Sequence, residues 1–115
     1  MEKPLNSEYE KGDIVVIPFP FTDLSATKKR PALIVAKLQG DDLIVCQITG
    51  QIKKDAYIME LNDSDIMGGT LDGASYIRTS KIFTADKTII NYKIGKLNSN
   101  KIKEVEDKII KIITG

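Results

Sequence analysis

Residues 28–49 read KKRPALIVAKLQGDDLIVCQIT, and the punctuation of this stretch decides the fold class. Pro31 to Ala36 is a short, continuous apolar run, the composition of a strand buried on both faces. Gln39-Gly40-Asp41-Asp42 is a turn signal. Leu43 to Thr49 is a second apolar run, and Gly50 closes it. Too few residues separate the runs for a crossover helix, so they are expected to pair as an antiparallel hairpin.

The same character extends outward. Upstream, Asp13 to Phe19 is β-branched and apolar, a further strand, and Pro18 and Pro20 place its end or an open edge there. Thr22 to Lys29 is polar and reads as a loop. Downstream, Tyr57 to Leu61, Ser75 to Thr84 and Thr88 to Leu97 supply strand material. Between the first two lies a turn-rich segment, Asn62 to Gly73, with room for one helical turn. The period then changes. From Asn100 to Ile113, apolar residues fall at Ile102, Val105, Ile109, Ile112 and Ile113, the face of an amphipathic helix. Asn98 or Asn100 caps its start. Such an Ile-rich helix needs a packing partner, because propensity alone does not hold it. Several antiparallel strands followed by one helix predict a mainly β fold, a small barrel-like sheet with a helix laid across it.

Composition narrows the function. A chain of 115 residues corresponds to one domain at the usual ~150 residues per domain. Residues 1–10 are polar and read as a flexible N-terminal arm, with a single domain over 11–115. The 17 Lys+Arg and 16 Asp+Glu leave a net charge of +1, so attraction to nucleic acid has to come from a local patch. There is no His, which removes imidazole general bases and Ser-His-Asp or Cys-His nucleophilic systems. The single Cys46 excludes an intrachain disulfide and, inside an apolar strand, reads as a small core residue. The apolar stretches fall far short of the ~18–20 residues that span a bilayer, and the N-terminus lacks a signal core. A cytoplasmic protein with no membrane partner is expected.

No phosphate-binding glycine loop occurs. Asp63-x-Asp65 with Gly68 hints at a calcium loop, but Met67 and Ala74 stand where oxygen ligands are needed, so no metal is expected. Three basic stretches remain. Lys28-Lys29-Arg30 precedes Pro31, which pushes Arg30 into an extended conformation suited to forking donors onto a phosphate. Thr49-Gly50-Gln51 offers a hydroxyl beside a residue that allows close approach, with Lys53 and Lys54 extending a polar rim. Arg78-Thr79-Ser80-Lys81 is the third, with Tyr76 and Phe83 as stacking platforms. Taken singly, these also read as a solvated turn, an ordinary strand end and core aromatics.

Together they carry a resemblance. Lys11-Gly12-Asp13-Ile14-Val15 followed by Lys29-Arg30-Pro31-Ala32-Leu33-Ile34-Val35 resembles the opening of the MazF/PemK family, the toxins of bacterial type II toxin–antitoxin modules. Ile48-Thr49-Gly50-Gln51-Ile52-Lys53-Lys54 is similar to that family's second motif. Phe83-Thr84-Ala85-Asp86-Lys87, Ile94-Gly95-Lys96-Leu97 and the closing helix are similar to its third. The resemblance runs from about Glu10 to the end. At the place before Thr-x-Asp-Lys where many relatives carry a basic residue stands Phe83, with Arg78 and Lys81 nearby.

The resemblance implies an SH3-like, partly open β-barrel with a C-terminal helix. It further implies a homodimer, held in check by a cognate antitoxin, that cuts single-stranded RNA, chiefly mRNA, without metal or cofactor. Carried over, the catalytic arginine is Arg30 and the catalytic threonine is Thr49. Lys28, Lys29, Gln51, Lys53, Lys54, Arg78, Thr79 and Lys81 would contact RNA, and the loop from Phe21 to Lys29 would cover it. The cut would use the substrate's own 2′-OH, and the resemblance leaves the proton acceptor unassigned. The alternatives are a gyrase-binding toxin of the CcdB type and a non-catalytic SH3-like module that binds nucleic acid or protein. An arginine before a strand paired with a strand-end threonine favours the ribonuclease.

Overall fold

A computed structural model describes residues 8–20, 27–51 and 54–115, the side chains of Pro20 and Thr27 excepted. Residues 1–7 of the expected arm, most of the expected covering loop and Lys53 lie outside the described residues.

Among the described residues, seven strands form one antiparallel sheet: β1 (Asp13–Pro20), β2 (Thr27–Lys37), β3 (Asp42–Thr49), β4 (Ile58–Leu61), β5 (Ile66–Met67), β6 (Ser75–Asp86) and β7 (Tyr92–Leu97). Their order is β4-β6-β3-β2-β1-β7-β5. The helix α1 (Ser99–Thr114) comes last. Residues from both ends of that order, Leu61 and Met59 of β4 and Ile66 of β5, pack into one cluster with Ile14, Leu33, Cys46, Ile48, Ile77 and Val105. The sheet therefore curls towards closure while β4 and β5 stay unpaired with each other, an open barrel. The mainly β expectation holds.

The helix plugs the curl. Ile102, Val105 and Ile109 face the cluster, as the three–four spacing dictates. Asn98 is the N-cap, its side chain accepting the Lys101 N–H at 2.8 Å. The approach of α1 to β1 is close. Gly12 has φ +96°, a conformation that favours glycine, and a Cβ there would also press on Ile102 Cδ1.

The opposite face carries a second cluster, Val15, Ile17, Phe19, Ala32, Ile34, Leu43, Val45 and Ala85, with Tyr9 and Phe83 packed against it. Phe83 meets Phe19 edge to face, ring centroids 5.1 Å apart, and is half-buried against this cluster. Two faces filled by alternating residues explain why the strands read as continuous apolar runs. Of the expected arm, Tyr9 lies on this cluster, and Glu8 and Glu10 approach Lys87 and Lys37 at 3.6 Å.

Three strand boundaries differ from expectation by more than one residue. The segment before Pro31 is not all loop: β2 begins at Thr27, because β1 keeps pairing through Pro18↔Lys29, Phe19↔Lys28 and Pro20↔Thr27. The two prolines are tolerated because β7 leaves β1 after Val16, which frees that side of the strand. The strand from Ser75 runs on to Asp86, and a 3-10 turn at Lys87–Ile89 replaces the start of the expected last strand. Asp86 starts that turn by accepting the Thr88 N–H at 2.9 Å. This bond holds the Asp86 carboxyl below its ordinary value.

Candidate nucleic-acid interface

The site is set by register. Ile17 pairs with Arg30, Ala32 with Gln47 and Gln47 with Arg78. Residues directly opposite one another share a face. Arg30, Gln47 and Arg78 therefore stand on the face of the second cluster, beyond its apolar end. The β2–β3 pairing runs Ile34↔Val45, Leu33↔Cys46, Ala32↔Gln47. The recorded pairs end there, and Arg30 and Thr49, the last residue of β3, each lie two residues further along the same face. Thr49 in turn pairs with Tyr76, and Tyr76 with Glu60. One face thus changes from apolar to polar along the strands, at the row Val15–Ala32–Gln47–Arg78.

With strands about 4.8 Å apart and about 3.4 Å per residue, the Cα atoms of Arg30 and Arg78 lie on the order of 12 Å apart. Arg30 is half-buried. Lys28, opposite Phe19, is on the same face and exposed. Lys29, opposite Pro18, points to the other face. Gln51 and Lys54 are exposed beyond the end of β3.

Thr49 is held by its own turn. The Gln51 N–H donates to Thr49 Oγ1 at 3.2 Å. Arg78 is largely enclosed: Nη1 donates to Gln47 Oε1 at 3.5 Å and Nη2 lies 3.8 Å from Asp55 Oδ2. Thr79 is fully buried, and its N–H and O–H both donate to the Tyr57 carbonyl. That bonding leaves Thr79 no part in contacting a ligand, against expectation. Its place has a local cause. The β3–β6 register jumps from Cys46↔Ile82 to Gln47↔Arg78, so Thr79, Ser80 and Lys81 form a bulge. Lys81 sits on it, exposed.

The Thr84-Ala85-Asp86-Lys87 motif lies elsewhere. Asp86 pairs with Asp42, the end of β3 remote from Thr49. There Lys87 donates its N–H to the Asp41 carbonyl and approaches the Asp41 carboxylate at 3.7 Å. The motif fastens a turn. Cys46 is buried in the first cluster, its thiol donating to the Arg78 carbonyl at 3.2 Å, and burial pushes it up to about 12. It is a core residue, as expected.

Two polar neighbours were not among the expected site residues. Gln47 was legible, since it stands two before Thr49 on an alternating strand. Asp55 was not, because only the tertiary fold brings its loop to β6. Among the described residues no group of three or more His, Cys, Asp or Glu could hold a metal ion, and no helix is long and apolar enough to cross a membrane.

The family model for PemK-like, MazF-like toxins of type II toxin–antitoxin systems matches residues 10–113, and the chain belongs to that family. Solved structures agree on the fold. The Mycobacterium tuberculosis toxin MazF-mt6 superposes with TM-score 0.70 at 18% identity, covering 89% of this chain and 96% of that one. An endoribonuclease in complex with its cognate antitoxin, from a Mycobacterial species, gives 0.68 at 16%, covering 97% and 96%. A MazE-MazF structure from Deinococcus radiodurans gives 0.70 at 16%, covering 92% and 96%. No curated protein matches the sequence significantly.

Proposed function

We propose that this toxin is a metal-independent endoribonuclease that cuts single-stranded RNA, chiefly mRNA, in the cytoplasm and so arrests growth. What supports the reading is that Arg30 and Thr49 stand on adjacent strands, each two residues beyond the Ala32↔Gln47 pair and on the same face of the sheet. In the reaction the ribose 2′-oxygen attacks the adjacent phosphorus and loses its proton. The bond from phosphorus to the 5′-oxygen breaks, and that oxygen takes up a proton. The products are a 2′,3′-cyclic phosphate and a 5′-OH. Negative charge grows on the non-bridging oxygens in between. Arg30 stabilises it with a fixed charged fork and Thr49 with a hydroxyl hydrogen bond, the preorganised electrostatics that usually contribute most. Arg30 is no general base, because a guanidinium carries hydrogen-bond donors and no acceptor. Lys28, Gln51, Lys53, Lys54, Arg78 and Lys81 hold the flanking phosphates.

The likeness to toxins solved with their antitoxins supports a further part of this reading: a cognate antitoxin silences the toxin by laying an acidic segment over the polar face. The reading also includes a homodimer, because a short open barrel leaves strand edges to cover. Incubating the purified chain with single-stranded RNA in EDTA tests the chemistry. Cyclic-phosphate ends are expected, and are lost in Arg30→Ala and Thr49→Ala. Continued cutting by folded Arg30→Ala overturns the mechanism.

A further inference from the structure

Asp55 is bound into the wall of this face by more contacts than a loop residue needs. Its Oδ1 accepts the Tyr57 N–H at 2.8 Å, and its Oδ2 faces Arg78 Nη2 at 3.8 Å. The Asp55 and Arg78 side chains are 16% and 18% exposed, so the pair is largely removed from water. Tyr57, which Asp55 holds, is itself clamped to the bulge of β6 by Thr79. The segment between Thr49 and β4 is thus tied to β6 at its far end.

The ion pair is long. A carboxylate that used the guanidinium fully would make two bonds near 2.8 Å. Here Asp55 holds the charge at 3.8 Å, Gln47 takes Nη1 at 3.5 Å, and Nε is buried without a partner. The guanidinium is oriented, yet its fork is not used up by Asp55.

We propose that Asp55 is a positioning residue: it holds the Arg78 guanidinium against Gln47 and fastens Tyr57 to β6. This deepens the endoribonuclease reading and rests on it. Asp55→Asn keeps an acceptor for the Tyr57 N–H and removes the charge. The expected result is a KM for RNA higher by about 3- to 10-fold, as when a contact made equally in ground and transition states is weakened. kcat stays within about twofold, because Arg30 and Thr49 are untouched. Asp55→Glu restores part of the affinity. In an Arg78→Gln background, Asp55→Asn adds less than about twofold, since coupled residues are non-additive. An Asp55→Asn enzyme of unchanged KM, or a loss that simply multiplies in the Arg78→Gln background, overturns the positioning role.

Amide exchange on the same proteins reads the fastening without any cleavage. The Thr79 amide is expected to exchange about tenfold faster in Asp55→Ala, while the buried Leu33 amide is unchanged. Equal Thr79 protection overturns the fastening. If the wild-type chain cuts no RNA, the endoribonuclease reading falls, and Thr79 exchange still decides the fastening.

Discussion

The Thr49 hydroxyl oxygen accepts the backbone N–H of Gln51 at 3.2 Å, which commits a lone pair and leaves the hydroxyl proton to be donated. A threonine at the end of a strand is thereby turned from a mobile rotor into an oriented donor. The bond also ties the conformation of the next two residues to the side chain proposed to meet the phosphate.

Substitution at Thr49 separates the donor from the methyl group. Thr49→Ser keeps the hydroxyl and should retain most of the cleavage rate. Thr49→Val keeps the shape and removes the donor, and kcat should fall on the order of 10²-fold, as when a single preorganised donor is lost. Single-turnover cleavage of a short RNA checks both.

Arg30→Lys keeps the charge and loses the planar fork. Lysine is a point charge with no bidentate geometry, so binding of RNA should weaken little while kcat falls by at least about tenfold, as expected for an interaction made chiefly in the transition state. A KM effect without a kcat effect would move Arg30 from the reacting phosphate to a flanking one.

Gly12→Ala tests the contact between α1 and β1. The left-handed φ and the collision with Ile102 both penalise a methyl group, and overpacking of this kind costs about 1–3 kcal/mol. Urea unfolding should show that loss. Ile102→Ala in the same chain should reduce the incremental cost of Gly12→Ala, because it removes the colliding atoms.

The buried Cys46 makes the fold sensitive to alkali. Its thiol is raised from 9.0 to about 12, so the folded chain holds a proton that the unfolded chain releases. The associated stability is fully present below about pH 9 and is lost as pH climbs towards about 12. Unfolding free energy should fall more steeply over this window in the wild type than in Cys46→Ala. At neutral pH the folded thiol should resist thiol reagents, since the thiolate is the nucleophile.

Much of this was readable in one dimension. The apolar runs 31–36 and 43–49, with a turn between, specify a hairpin whatever surrounds them, and the three–four spacing of Ile102, Val105 and Ile109 specifies a helix face. Arg30 and Thr49 stood out because a basic residue before Pro31 and a hydroxyl before Gly50 punctuate those runs. Chain order could not say that β2 begins at Thr27, which depends on β1 continuing to pair. Nor could it say that Thr79 turns inward, which depends on a bulge whose partner strand is thirty residues away.

Composition, alternation and helical period by themselves determined the kind of fold and the absence of imidazole chemistry, because local backbone preference and burial act over a few residues. Only the folded sheet decided which side chains meet. In a sheet a slip of one residue turns every side chain to the opposite face. Register between distant strands therefore puts Gln47 opposite Arg78 and Arg30 opposite Ile17, and the fold brings Asp55 to Arg78.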